Sequence, residues 1–186
     1  MVKARRIILV VVLLFPVVLH SQVIEKYATE INYNHGTSIL RFRPFDNTGG
    51  IQRIDIVTGT KLGPIIIGSY WKADLEGNSW TGLLLEFGGK KNNLKYKIET
   101  RFFNAITKGT VNQIYAIPSI HYQLRSLPVG FGYCGFSVFR KGSIPFASLG
   151  PLITVNMGKN KTFLFSYLWD IYSEKRLFLF KIKYKI

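Results

Sequence analysis

The sequence predicts an all-β chain folded as an antiparallel up-and-down barrel. Three observations carry this. Apolar and polar residues alternate with period two, no segment repeats with a helical period, and short Gly- and Asn-rich clusters separate the alternating runs. Composition agrees: of 186 residues 47% are hydrophobic and 15% aromatic, while 19% are charged, below the roughly 25% of ordinary soluble domains. So apolar a chain is not intrinsically disordered. Cys134 is the only cysteine and there are three histidines, too few for a disulfide scaffold or a Cys/His metal site. No cofactor is expected.

The first segment is a leader. Lys3, Arg5 and Arg6 precede an apolar run from Ile7 to Leu19, and Ser21 supplies a small residue before Gln22. That is the layout of a secretory signal peptide over 1–21. The run is shorter than the roughly 20 residues a membrane helix needs. Residues 22–186 then form a single barrel domain. Residues 24–34, 38–45 and 51–58 read as extended, with turns at Asn34-His35-Gly36 and Asp46-Asn47-Thr48-Gly49-Gly50. This stretch, 22–60, is an N-terminal extension or an extra hairpin. Further strands begin near 62, 80, 93, 111, 128, 145, 161 and 176, separated by clusters such as Gly88–Asn93, Arg140–Ser143 and Met157–Lys161. Eight strands are favoured, ten if the hairpin joins.

The alternation assigns two faces. At the C-terminus Phe178, Phe180, Ile182, Tyr184 and Ile186 oppose Lys181, Lys183 and Lys185, and a strand sends such sets to opposite sides of its sheet. Leu94, Tyr96, Ile98 and Phe102 oppose Lys95, Lys97, Glu99 and Arg101 in the same way. A soluble lipocalin-like barrel would turn the apolar face inward, a membrane barrel outward. The strand lengths favour the membrane: each run is long enough to supply the roughly 9–11 residues that cross a bilayer when tilted. Apolar faces rich in Phe, Tyr and Trp point the same way.

The last ten residues, Leu177 to Ile186, carry apolar or aromatic side chains at every second position and end the chain inside its final strand. This resembles the C-terminal assembly signal of bacterial outer-membrane β-barrel proteins, with Ile186 where that family has Phe or Trp. The resemblance is to the general family. It implies an outer-membrane location, recognition by the barrel-assembly machinery, contact with outer-membrane lipid including anionic glycolipid, and a periplasmic C-terminus. Counted back, 72–79, 104–110, 140–144 and 173–175 would face outward, and all these connections are short.

No residue set makes an enzyme the expectation. Ser119 and His121 are two apart on one face, and with Glu86 they are the candidates for a lipid-modifying acylhydrolase. There is no Gly-x-Ser-x-Gly elbow, and a polar lumen pair explains them more simply. Lys95, Lys97, Arg101, Lys181, Lys183 and Lys185 form an inward basic cluster that would line a narrow anion channel or bind lipid phosphates. The preferred reading is an internal ion-pair network with Glu86, Glu99 and Asp170. Twenty-five Lys+Arg against 10 Asp+Glu exceed what such pairing can absorb, and for an exported chain nucleic acid is not the partner. The expected function is structural, adhesive or lipid-contacting. The sequence leaves the oligomeric state open.

Overall fold

The computed structural model describes residues 23–186 apart from Gly49 and Ile144; the leader expected over 1–21 lies outside the described residues. Eleven strands follow one another: β1 (Val23–His35), β2 (Ser38–Thr48), β3 (Ile51–Leu62), β4 (Ile65–Asp74), β5 (Ser79–Lys91), β6 (Leu94–Ala105), β7 (Gln113–Gln123), β8 (Val129–Arg140), β9 (Phe146–Met157), β10 (Lys161–Asp170) and β11 (Arg176–Lys185). Consecutive strands pair antiparallel, and β1 pairs with β11 to close the barrel.

The strand number corrects the expectation of eight or ten. Residues 23–62 supply three full staves of the barrel. In a meander the first and last strands run the same way when the count is odd. The seam between β1 and β11 is accordingly parallel, in register from Val23 opposite Arg176 to Asn32 opposite Lys185. A parallel ladder satisfies the backbone as an antiparallel one does, with slanted bonds. Evenness is therefore not a requirement of closure.

Turn chemistry sets the short connections. Residues 36–37, 63–64, 92–93, 124–128 and 158–160 join strands at one end of the barrel, where the chain also ends, and we call this the C-terminal mouth. The 92–93 turn places Asn92 at φ 54°, the only left-handed non-glycine among the described residues, and asparagine tolerates that conformation better than other L residues. The connections at 75–78, 106–112 and 171–175, like those between β2 and β3 and between β8 and β9, lie at the opposite, N-terminal mouth.

One break of alternation matters for the interior. Between β2 and β3, Arg43 faces Asp55 but Asp46 faces Arg53, so the ladder slips by a residue at Pro44-Phe45. Proline has no N–H for a ladder, and a bulge is where a sheet accommodates it. The slip lets Arg43 and Asp46, three apart, both point inward, where they are 4% and 5% exposed.

Candidate functional site: the charged lumen and its mouth

The inward face of β1–β6 and β11 carries the charged layer, whereas that of β7–β10 is mostly uncharged. Lys97, Glu99 and Arg101 come from β6, Arg41 and Arg43 from β2, and Lys181 and Lys183 from β11. Glu30, Asp55 and Glu86 add acids from β1, β3 and β5. On the other wall Cys134, Leu152, Leu168 and Leu177 pack together, and the Cys134 Sγ lies 3.1 Å from the Ser166 Oγ. Long cationic side chains from one wall therefore reach across a lumen narrowed by the other.

These groups form one connected layer. Glu30 accepts from the Arg43 Nε at 2.7 Å and from Lys181, and lies 4.0 Å from the Lys183 Nζ. Arg43 also reaches Asp55 at 3.1 Å. The Tyr70 hydroxyl donates to Asp55 and accepts from Arg43 at 3.2 Å and Arg101 at 3.0 Å. Glu99 pairs with Arg101, with Lys97 at 2.7 Å and more distantly with Arg41 at 3.7 Å. Arg41 grips Glu86 with both guanidinium nitrogens, at 2.6 and 3.1 Å. Six cations thus meet four carboxylates in one largely buried layer, where most of the charged groups have a partner of opposite sign and the Asp55 Oδ1 has none.

Towards the N-terminal mouth the lumen is filled by aromatic rings. Tyr70 meets Phe103 edge-on with centroids 4.7 Å apart, and Phe103 meets Tyr115 at 4.8 Å. Gly82 lies between Tyr70 and Phe103 in the ladder. A Cβ there would come within 1.6 Å of the Phe102 carbonyl oxygen, so only glycine permits this approach. Lys72, 3% exposed, is capped by Trp80, Phe103 and Tyr115 at 4.3, 4.5 and 5.0 Å and donates to the Tyr115 hydroxyl at 3.1 Å. Rings stand in for a counter-ion there. The space left around the charged layer and the rings is about 180 Å³. Towards the C-terminal mouth the barrel opens into a vestibule of about 870 Å³.

The residues anticipated from sequence divide between these zones. Lys97, Arg101, Lys181 and Lys183 enter the ion-pair layer, whereas Lys95 and Lys185 line the vestibule with no acid in contact. Glu86 and Glu99 pair as expected. Asp170 does not: it accepts from the Ala147 N–H at 3.0 Å and from the Ser173 hydroxyl at the N-terminal mouth. β10 carries it above the charged layer. Ser119 and His121 also line the vestibule, with no hydrogen bond between them, and Glu86 is held by Arg41 instead. The His121 Nδ1 is buried without a partner. Phe178, Phe180, Ile182 and Tyr184 occupy the outward face of β11, with Phe180 against Phe165 at 4.9 Å.

The sequence does not single out Glu30, Arg41, Arg43 and Asp55, because 22–60 reads equally as an extension or as an extra hairpin of the barrel. The available signal was the inward pair Arg41 and Arg43, two apart as strand residues sharing a face must be. Compared with protein-family models, with curated proteins and with solved structures, the chain matches none.

Proposed function

We propose that the chain is an integral outer-membrane barrel with a non-enzymatic structural, adhesive or lipid-contacting role, exported by the leader over 1–21 and closed to diffusion by its ion-pair layer. One observation carries this reading: the polarity of the barrel is inverted. Leu83 is 61% exposed and Ile98 53%, on the outer face, while Asp55 and Glu99 are 2% exposed within. Trp71, Phe87, Phe102, Tyr133 and Leu149 extend the apolar surface around the barrel. In water such a belt would far exceed the few hundred Å² that monomers expose; in a bilayer it is what the solvent requires.

The strands supply 10 to 13 residues each, enough to cross with tilt. The closed ladder leaves no sheet edge in the hydrocarbon. An odd count is a minority arrangement among membrane barrels, made possible here by the parallel seam. The outward row Phe178 to Tyr184 is the segment that the assembly machinery would read. With a periplasmic C-terminus, Lys108, Lys141 and Lys175 sit in the outward connections, where phosphate-bearing glycolipid would meet them.

Carbonate and urea washing of membranes from a Gram-negative host tests the location. The chain is expected in the washed outer-membrane pellet and silent in planar bilayers. Recovery in the soluble periplasmic fraction would overturn the membrane reading. Steady conductance would overturn the closed lumen.

A further inference from the structure

We propose that the vestibule at the C-terminal mouth is a binding site for a phosphate-bearing anion. Its volume of about 870 Å³ is that of a small-molecule site. Lys61, Lys90, Lys95 and Lys185 line it without contacting any carboxylate, and Lys183 reaches Glu30 only at 4.0 Å. The acids that border it, Glu30 and Glu86, are already engaged by Arg43 and Lys181 and by Arg41. The field in the cavity is therefore positive and uncompensated, and low-dielectric walls focus it.

The residue types choose the ligand class. Planar carboxylates are best recognised by the fork of an arginine, whereas lysine acts as a point charge suited to phosphate oxygens. The vestibule's arginine, Arg41, already spends both terminal guanidinium nitrogens on Glu86. Its uncommitted cations are all lysines. The imidazole of His121, whose Nδ1 has no partner, adds a polar group that no internal bond claims. At the N-terminal mouth Lys26 is neutralised by Asp46 at 2.6 Å, and the uncommitted cation beside it is an arginine, Arg53, whose buried Nε has no partner. The inference uses the closed barrel and its mouth, and it stands apart from the membrane reading, which fractionation tests separately.

The test is calorimetric titration of the purified full chain with pyrophosphate, with citrate as the carboxylate comparison. Dihexanoyl phosphatidate against dihexanoyl phosphatidylcholine distinguishes a lipid headgroup from a free phosphorylated solute. Saturable binding of pyrophosphate is expected, tighter than citrate. Lys95→Gln and Lys185→Gln should each weaken it about fivefold, the loss of roughly one screened charge contact. Lys141→Gln at the other mouth should leave it unchanged. Binding of phosphatidate alone, lost in the same variants, would assign the site to a lipid headgroup. Because these lysines hold no ion pair, the variants should fold, with the strand signature in circular dichroism as the control; Lys61→Gln on β3 and Lys90→Gln, beside Lys95 in the β5–β6 ladder, repeat the test. No saturable binding of either phosphate compound, citrate binding as tightly, or binding indifferent to all four substitutions would each overturn the proposal.

Discussion

Glu99→Gln isolates the strength of the luminal layer. The substitution keeps the volume and one acceptor oxygen, so packing changes little and charge is what is lost. Glu99 is 2% exposed and holds Arg101, Lys97 at 2.7 Å, and more loosely Arg41 at 3.7 Å and Arg43 at 3.9 Å. Three of these cations have other carboxylates: Lys97 and Arg41 keep Glu86, and Arg43 keeps Glu30 and Asp55. Arg101 does not; it retains the Tyr70 hydroxyl at 3.0 Å. The damage therefore concentrates on one stranded guanidinium. Breaking a buried pair by removing one partner costs about 3–5 kcal/mol, and the backup partners place this variant near 3. Removing the stranded charge as well, in Glu99→Gln with Arg101→Gln, should recover at least half the loss, a coupling that a double-mutant cycle reads directly. The assay is urea unfolding in detergent micelles, followed by the fluorescence of Trp71, Trp80 and Trp169. A single-variant loss below about 1 kcal/mol, the range of solvated pairs, would mean that the lumen is wet and the layer no plug. A double variant no better than the single would refute the assignment of the loss to Arg101.

Two further outcomes test the faces and the close approaches of the sheet. Phe180→Arg, on the outward side of β11 beside Phe165 and Phe163, should cost about 2–4 kcal/mol of stability in lipid vesicles if it lies near the midplane; Lys185→Glu on the inward side should refold as the native chain does, and equal damage from both would contradict the face assignment. Gly82→Ala, with its Cβ forced to 1.6 Å from a backbone oxygen, should lower stability by about 1–3 kcal/mol or more. Gly36→Asn, where the space is open and φ of +56° is the constraint, should cost under about 1 kcal/mol, and the urea midpoints of the pair separate crowding from conformation.

The part of the barrel that was legible is the part where alternation is uninterrupted. β10 and β11 begin at Lys161 and Arg176, where period two and the preceding turns place them. The inward identity of Lys97, Glu99 and Arg101 follows from the same rule. What the residues did not disclose is long-range. Closure by a parallel seam is a pairing between positions 23–32 and 176–185, and no local pattern encodes it. The bulge at Pro44-Phe45 interrupts alternation in β2, so Arg43 and Asp46 read as occupying opposite faces when they share one. Which acid serves which base also escapes a one-dimensional reading. Asp170 lies on the inward face as expected, but its height along β10 puts it with the N-terminal connections.

The seam shows how charge completes what alternation begins. Because side chains alternate, sliding β1 along β11 by one residue would turn the whole of one strand to the wrong face. At the observed register Ala28 faces Lys181 and Glu30 faces Lys183, so the carboxylate sits between two lysines of the final strand, bonding Lys181 and lying 4.0 Å from Lys183. A slip of one would bring Ile182 or Tyr184 beside Glu30. A slip of two would preserve the faces, so alternation alone would allow it. Moved back by two, Glu30 would face Lys181 and lie farther from Lys183. Moved forward, it would face Lys185 at the open vestibule and move away from Lys181, to which it is bound. The Glu30–Lys181 pair thus disfavours the forward slip, which the hydrophobic pattern leaves equivalent. Glu30 thereby ties the pairing of β1 with β11 to the ion-pair layer within the lumen.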